Sequence, residues 1–242
     1  MIVLTISTGI YTGFEIDDAF TSIPKVIMWI IKNLVPDQKA MTRVPKIIDK
    51  LTDTILMSIM ASIAASVFSL VFALFGSRTT QFNKGLAAFS RAFASINRNI
   101  PIAAWAMIFL VSFGMSSFTG FLALFFASFG FLTRMFIETI DEASASSVEA
   151  LRAVGASYTQ VIAQAVIPAS LSQILSWILY MIETNIRSST LVGILTGTGI
   201  GFTFSVYYKS LQYTSAALVV LSIVIVVLAI EILSNMLRRL IL

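Results

Sequence analysis

The chain has 242 residues, of which 57% are hydrophobic and 12% charged, and its mean hydropathy is +0.92. A soluble domain of this length needs far less apolar sequence for its core, so the composition predicts a membrane protein. The sequence contains neither Cys nor His, which excludes disulfides, thiol nucleophiles, a Ser-His-Asp triad and the usual zinc ligands. The formal net charge of +4 predicts basic loops at a membrane surface and no nucleic-acid partner.

Residues 1–14 are apolar but too short to cross a bilayer, and they lack the basic start and the cleavage site of a signal peptide. We expect them to be either the tail of a truncated membrane helix or a shallow interfacial segment. KVIMWIIKNL, residues 25–34, has the pattern of an interfacial amphipathic helix anchored by Trp29. Residues 1–52 are therefore predicted to form an apolar remnant followed by an extracytoplasmic segment.

Uncharged runs predict five membrane spans, because a helix of about 20 apolar residues crosses a hydrocarbon layer of roughly 30 Å. The run from Ile100 to Thr133 would be about 50 Å long as one helix, so we expect two spans that meet near GMSSFTG, residues 114–120. The predicted spans are residues 54–76, 100–116, 119–140, 166–188 and 213–234. With no internal repeat, residues 53–242 are predicted to form one all-α membrane domain.

Lys and Arg are distributed unevenly over the connections between these spans, and cytoplasmic loops usually carry the excess. The base-rich parts contain Arg78, Lys84, Arg91, Arg98, Arg134, Arg152, Arg238 and Arg239. This distribution predicts that the loop 141–165 and the C-terminus are cytoplasmic. Residues 15–53 argue weakly against that orientation, because they hold six bases as well as six acids.

A polar segment, EALRAVGASYTQVIAQAVIP at residues 149–168, separates two of the predicted spans. Ser146 and Glu149 have the spacing of a capping box, which predicts that a short helix begins there. Gly155 is expected to end or bend this helix, and the apolar residues after it lead back to the membrane at Pro168. A stubby helix held at the membrane surface suits insertion into a groove on a partner protein. An ordinary Ser-capped loop is the alternative.

The same segment resembles the EAA loop of the permease subunits of ABC importers, whose pattern is E-A-A-x3-G-x9-I-x-L-P. The spacing is intact, with matches at Glu149, Ala150, Gly155 and Pro168 and differences at Leu151, Ala165 and Ile167. The resemblance implies the transmembrane fold of a type I ABC importer, here with five full spans, and a coupling helix at residues 147–154 that docks on a separate ATPase. The implied coupling residues are Ser147, Glu149, Ala150, Leu151, Gly155 and Pro168.

A second region, LYMIETNIRSSTLVGILTGTGIGF at residues 179–202, is similar to the phosphonate permease branch of these importers, as is RNIPIAAWAMIF from Arg98. That branch commonly shows E-x-N-[IV]-R-[SA] followed by a Gly-rich loop. The resemblance implies that the solute is a small anion, with a phosphonate or a related phosphorus oxyanion fitting best. It also implies that specificity resides mainly in an extracellular binding protein.

Glu183 and Arg187 are four residues apart, the favourable spacing for an ion pair on a helix. A charge facing lipid costs about 2.5–3.5 kcal/mol, so the pair should face the bundle interior or a watery path. In one interpretation the pair belongs to the solute pathway, and glycines in the following loop permit non-helical backbone at its outer mouth. In the other, the pair only braces the bundle or reaches the headgroups. The candidate pathway or gate residues are Glu183, Asn185, Arg187, Ser188, Gly197, Gly199 and Gly201.

The chain contains no Walker A sequence, G-x4-G-K-[ST], so ATP and Mg²⁺ must bind to a partner ATPase, and we expect no cofactor or metal in this chain. The resemblance implies a transport subunit and not an enzyme, in a bacterial plasma membrane. Its implied partners are a second permease subunit, identical or paralogous, two ATPase subunits, a binding protein and membrane lipid. The alternative is a stand-alone secondary carrier or channel in which Glu183, Arg187 and Glu231 form a charge relay.

Overall fold

The computed structural model describes Tyr11 and residues 16–241, and within these residues the regular structure is helical. The helices are α1 (Ile16–Leu34), α2 (Gln38–Met41), α3 (Val44–Gly76), α4 (Lys84–Asn99), α5 (Ile102–Phe113), α6 (Ser117–Ala153), α7 (Tyr158–Val161), α8 (Ile167–Thr196), α9 (Gly199–Lys209) and α10 (Tyr213–Ile241). A π-helical turn, Ile162–Val166, joins α7 to α8. The prediction of a truncated membrane helix falls mostly on residues 1–10 and 12–15, which lie outside the described residues.

Four helical stretches of the described chain are long and apolar enough to cross a membrane: Val44–Gly76, Ser117–Ala153, Tyr158–Thr196 and Tyr213–Arg239. Helices α4 and α5 add a fifth only if they form one broken span, because they meet at a bend of 92°. The second predicted span, residues 100–116, is therefore a helix of 12 residues. At about 18 Å it is shorter than the hydrocarbon layer.

Pro101 causes the bend between α4 and α5. The residue before a proline is pushed out of the helical region, and Ile100 is extended, with φ −87° and ψ 119°. Proline also lacks the N–H group that would continue the hydrogen bonds of α4. The helix therefore stops at Asn99 and starts again at Ile102 in a new direction.

Helix α6 lies at the centre of the fold and packs against α3, α4, α5 and α8. Small buried residues on α3 let the helix backbones approach closely, which is how helices associate where lipid replaces water. They are Ala61, Ser62, Ala65, Ser66, Ser69 and Ala73. Large side chains of α6, among them Leu132 and Phe136, are fully buried and fill the space beside them.

Gly130 marks the point at which α4 crosses α6. A Cβ atom at residue 130 would lie 2.4 Å from the backbone nitrogen of Arg98 and 2.7 Å from the carbonyl carbon of Asn97. Both are backbone atoms, so they cannot rotate away as the end of a side chain can. Only glycine permits the two helices to cross this closely.

Replacing Gly130 by Ala is expected to lower the free energy of unfolding by about 1–3 kcal/mol, since α4 must shift to admit the methyl group. A gain in helix propensity of at most about 1 kcal/mol offsets part of that loss. Gly85→Ala is the control, because the nearest atom to a Cβ there is the Asn83 side-chain oxygen at 3.2 Å. Thermal unfolding of both variants in detergent measures the difference, and equal midpoints would contradict the close crossing.

The third predicted span, residues 119–140, is only the first part of α6, which runs without a break from Ser117 to Ala153. The helix therefore continues through the predicted loop boundary at residue 141, and the point at which it leaves the membrane stays a prediction. After Gly130 the sequence has no Gly or Pro until Gly155, so nothing interrupts the helical hydrogen bonds where the membrane run ends.

The fourth predicted span also starts earlier than expected, since the chain is helical from Tyr158 to Thr196. In a regular α-helix the ring of Pro168 would clash with the carbonyl group four residues earlier. The π-helical turn widens the helix at this point, and the Ile167 N–H donates to the Ile162 carbonyl. Pro168 therefore lies inside a continuous helix and not at its start.

Helix α1 contains the amphipathic stretch predicted at residues 25–34, which confirms that this stretch is helical. Its Trp29 packs edge to face on Tyr213 at the start of α10, with ring centroids 5.3 Å apart. The location of α1 at a membrane interface stays a prediction.

Candidate functional site

Gly155 ends α6 in a tight left-handed turn. Its φ of +82° costs a residue with a side chain about 1–2 kcal/mol. The Gly155 N–H donates to the Arg152 carbonyl, and the Ala156 N–H donates to the Leu151 carbonyl, which is the bonding pattern of a Schellman motif. The predicted helix end at Gly155 is confirmed.

The helix start predicted at Ser146 is wrong, because α6 is continuous through that residue and has no free N–H groups there to cap. A capping box lies instead at the start of α7, where the Ser157 N–H donates to Gln160 Oε1 at 2.8 Å. Ser147 is an exposed residue inside α6. The docking element implied at residues 147–154 thus coincides with the last two turns of a long helix.

These two turns of α6 have a buried side and an exposed side. Val148 is buried, and Leu151 packs against the same core cluster. Glu149 and Ala150 are exposed, and Val154 exposes 79% of its surface. The buried side fixes the position of the helix end, while the exposed side is free to contact a partner.

Phe82 and Tyr158 leave further apolar surface at this end of the bundle. Their rings meet edge to face with centroids 5.9 Å apart, and Phe82 exposes 67% of its surface. Tyr158 follows Val154 by four residues, across the turn at Gly155. Exposed apolar groups on adjoining loops are typical of a protein-binding surface. No local sequence pattern connects Phe82 with Tyr158, so their contact could not be predicted from the sequence.

Asp141 fastens the loop between α3 and α4 to α6. Its carboxylate accepts hydrogen bonds from Ser77 Oγ at 2.6 Å, from the Thr79 hydroxyl at 2.9 Å, and from the N–H groups of Thr79 at 3.0 Å and Arg78 at 3.2 Å. Hydrogen bonds to an ionised acceptor are roughly twice as strong as neutral ones. These hydrogen bonds could not be predicted from the sequence, since Asp141 is 62 to 64 residues away from its partners.

Arg152 makes a second connection between the same two elements. Its guanidinium donates to the Thr79 carbonyl at 2.9 Å. The loop 77–83 is therefore bonded to α6 both at Asp141 and near the end of the helix. A displacement of the end of α6 must carry this loop with it.

Glu183 connects two helices as well as forming the predicted ion pair. Its Oε1 accepts from Arg187 at 3.0 Å, and its Oε2 lies 3.5 Å from Arg238 of α10. Because α8 continues to Thr196, Glu183 lies near the middle of that helix.

The two members of this pair differ in exposure. The Glu183 side chain is 12% exposed, whereas that of Arg187 is 57% exposed. An arginine that faces lipid near the middle of a membrane helix costs about 2.5–3.5 kcal/mol. The side of α8 that carries Arg187 is therefore expected to face another subunit or water in the assembled protein.

Asn185 lies inside the bundle, which corrects the expectation that it donates to a passing solute. Its amide nitrogen donates to Ser62 Oγ at 2.8 Å and to Ser128 Oγ at 2.6 Å. The residue is 1% exposed, so it holds α8 against α3 and α6. Ser188 is partly exposed beside Arg187 and stays a candidate.

The three candidate glycines have different surroundings. Gly197 and Gly199, with φ of +72° and +60°, line a cavity at one end of the bundle. Gly201 does not line this cavity, since a Cβ atom there would lie 2.0 Å from the Thr190 carbonyl oxygen; it permits close packing of α9 on α8. Between α8 and α9 only Gly197 and Thr198 are non-helical, because α9 begins at Gly199.

The cavity beside Gly197 has a volume of about 420 Å³ and is bounded on its other side by α3. Lys46 and Lys50 line it, and Lys50 donates to Asp53 at 2.7 Å. Ser117, the first residue of α6, lines it too. Lys50 also lies 3.3 Å from Asp49, so Lys46 is the lysine of this wall that is left to meet a small anion. Among the described residues, no group of three acids is arranged to hold a metal ion.

The description "binding-protein-dependent transport system inner membrane component" belongs to a family model that matches residues 65–242, well over half of the chain. The chain belongs to this permease family. The matched region of the permease includes the whole EAA-like segment, residues 149–168. With its four or five candidate spans, the permease is a multi-pass membrane protein.

Three relatives of the permease are named as permeases for phosphite or phosphate. The putative phosphite transport system permease HtxC of Stutzerimonas stutzeri is 32% identical over 170 residues, 70% of this chain and 60% of HtxC. The phosphite permease PtxC of the same species is 33% identical over 167 residues, 69% of this chain and 61% of PtxC. The phosphate-import permease PhnE of Mycolicibacterium smegmatis is 30% identical over 149 residues, 62% of this chain and 28% of PhnE. The permease thus spans less than two thirds of the length of these relatives.

Solved structures share the fold. An inward-facing form of the methionine ABC transporter MetNI matches with a TM-score of 0.72 at 20% identity, over 85% of the permease and 99% of that chain. An amino acid ABC transporter matches with a TM-score of 0.70 at 17% identity, over 84% and 98%. The predicted fold, the transmembrane domain of a type I ABC importer, is confirmed, with four or five spans.

Proposed function

We propose that the permease is the transmembrane subunit of an ATP-driven importer and that its EAA-like segment docks on a separate ATPase subunit. The observation that carries this proposal is the end of α6, where Gly155 reverses the chain and leaves Glu149, Ala150 and Val154 exposed. These residues fall where the EAA resemblance puts the docking element. ATP and Mg²⁺ are bound by the partner, and this chain contributes the docking surface and the helix that carries the movement.

Helix α6 can transmit that movement across the membrane. Its 37 residues form one helix about 55 Å long. The helix starts at Ser117, beside the cavity at Gly197, and ends at the docking surface, which we define as the exposed residues of 147–154 together with Phe82 and Tyr158. The hydrogen bonds of Asp141 and Arg152 to the loop 77–83 make this loop follow the same movement. Each nucleotide state of the ATPase pair then favours one arrangement of the spans, which is the coupling that alternating access requires.

The distribution of bases supports an orientation in which the EAA-like segment and the C-terminus are cytoplasmic. Arg78, Lys84 and Arg152 lie at the end of the bundle that carries the segment, and Arg238 and Arg239 lie near the C-terminus. The cavity beside Gly197 then opens on the outer side. An extracellular binding protein delivers the solute there.

The exposure of Arg187 supports a second permease subunit. A helix bundle with four or five spans leaves this guanidinium on its own surface, where lipid is an unfavourable neighbour. Pairing of two permease subunits along this side of α8 covers it and encloses a pathway between them. Identical and paralogous second subunits both satisfy this argument.

The solute is proposed to be a phosphonate or a related phosphorus oxyanion. The named relatives are permeases for phosphite or phosphate, and in this chain Lys46 and Lys50 line the cavity beside Gly197. A cavity of about 420 Å³ accepts a solute of this size with water around it. Weak, transient contacts suffice there, because tight binding would slow release into the pathway.

Uptake by proteoliposomes tests the proposal. The permease is reconstituted with its ATPase and binding protein, and labelled phosphite, methylphosphonate and phosphate are compared. We expect uptake of at least one of them to require ATP and the binding protein and to be insensitive to ionophores. Uptake without ATP that stops when a proton or sodium gradient is dissipated would contradict the proposal and favour the stand-alone carrier.

A further inference from the structure

Three arginines line a cavity of about 350 Å³ between α4 and α6. None of its lining residues belongs to the EAA-like segment or to the cavity beside Gly197. Arg91 and Arg98 come from α4, and Arg134 comes from α6; Ser95 and Asn99 complete the polar wall. We name this site the arginine cavity.

Helix α4 separates an apolar side from a basic side at this cavity. Phe89 and Ile96 are seven residues apart, so they share one side of the helix, and both are exposed. Arg91 and Arg98 are also seven residues apart and share the opposite side. The helix therefore has the residue pattern of a membrane-interface helix, although its third side is buried against the bundle.

The crossing with α6 shows which way each side faces. Phe93 packs on Phe129, with ring centroids 5.7 Å apart, whereas Arg91 and Arg98 share the arginine cavity with Arg134 and Ile137. The aromatic side thus faces the part of α6 that leads into the membrane run. The arginine side faces the part of α6 that leads towards residues 147–154.

The arginine cavity has an excess of positive charge. Arg134 is paired with Glu138, with Nε and Oε1 2.6 Å apart. Among the described residues, Arg91 and Arg98 form no ion pair, so the cavity carries two uncompensated positive charges. Arginines on a solvated surface normally spread apart. Here three of them converge on one cavity. The planar guanidinium group of arginine donates paired hydrogen bonds to phosphate oxygens.

We propose that the arginine cavity binds the phosphate group of an anionic phospholipid. The chemistry required is that of a phosphate oxyanion, which a lipid headgroup or a free phosphate ion could both supply. The lipid is favoured because α4 exposes Phe89 and Ile96 on one side and the arginines on the opposite side. In a membrane-interface helix this arrangement puts the apolar side in hydrocarbon and the arginines at the level of the headgroups. Bound lipid would hold α4 against α6 close to the loop 77–83, from which α4 starts.

The test measures thermal unfolding of the full chain in a neutral detergent, with short-chain phosphatidylglycerol, short-chain phosphatidylcholine or inorganic phosphate added. The variants are Arg91→Gln/Arg98→Gln, the charge-conserving Arg91→Lys/Arg98→Lys, and Lys84→Gln, which removes a base at the start of α4 outside the cavity. Phosphatidylglycerol is expected to raise the midpoint of the wild type and of Lys84→Gln. Its apparent affinity should fall roughly fivefold for each arginine changed to Gln, with the Lys variant retaining part of it.

Three results would overturn the proposal. They are an equal response of all variants to phosphatidylglycerol, an equal response of the wild type to phosphatidylcholine, and a midpoint shift by inorganic phosphate that matches the lipid. The last of these identifies a free phosphate ion as the ligand. The Lys variant keeps the test decisive if the Gln variant fails to fold.

Discussion

Replacing Val154 by Asp is expected to release the permease from its ATPase subunit while leaving it folded in the membrane. Val154 is the most exposed large apolar side chain of the last two turns of α6, at 79%. Its replacement should change the free energy of unfolding by no more than about 0.5 kcal/mol. At the centre of a docking surface, by contrast, a buried carboxylate without a partner costs about 2 kcal/mol or more.

That cost corresponds to a loss of ATPase affinity of roughly 30-fold or more. The measurement is the amount of ATPase that copurifies with the permease, together with its binding-protein-stimulated ATP turnover. Val35→Asp is the matched control, because Val35 is also exposed and lies in the loop between α1 and α2. Equal copurification with both variants would remove Val154 from the docking surface. Glu149→Arg, with Glu142→Arg as its control two turns earlier on α6, tests the same surface through charge.

Replacing Asp141 by Ala is expected to free the loop 77–83 from α6 and to reduce the coupling of ATP turnover to the binding protein. The change removes the acceptor of four hydrogen bonds, including that of the buried Ser77 hydroxyl. Losing hydrogen bonds to a charged acceptor costs about 1.5–3 kcal/mol. The bond from Arg152 to Thr79 remains, so the loop loosens without detaching completely.

Hydrogen exchange reads this effect directly, because the Arg78 and Thr79 N–H groups donate to Asp141. We expect both amides to exchange about 10- to 100-fold faster in Asp141→Ala. The exposed neighbour Glu142 supplies the control variant Glu142→Ala, in which exchange at the two amides should not change. Unchanged exchange in Asp141→Ala would show that the four bonds do not hold the loop.

Much of the structure around the end of α6 could be predicted from spacing along the chain. Gly155 and its helix end are local features, since a left-handed turn after a helix needs glycine and only the neighbouring residues take part. The pairing of Glu183 with Arg187 is local for the same reason. The continuity of α6 was not predicted, because a change from apolar to polar residues suggests a boundary although no residue interrupts the helix there.

Other features of the site depend on contacts between distant parts of the chain. Asp141 meets Ser77 across 64 residues, and Asn185 meets Ser62 across 123. Periodicity and motif spacing carry no information on such pairs. The arginine cavity is similar, because Arg91 and Arg134 come together only through the close crossing at Gly130. Asn185 was misassigned for this reason, since a polar residue in a membrane helix suggests a pathway until its core partners are known.

Site-directed cross-linking shows directly whether the end of α6 contacts an ATPase. The chain has no cysteine, so a single cysteine reports one position. Val154→Cys and Glu149→Cys variants are purified with the ATPase and treated with a short cysteine–lysine cross-linker, with Val35→Cys as the control. We expect permease–ATPase cross-links at 154 and 149, dependent on nucleotide state, and none at 35. Copurification of the ATPase with no cross-link at either position, or with equal cross-linking at 35, would contradict this expectation.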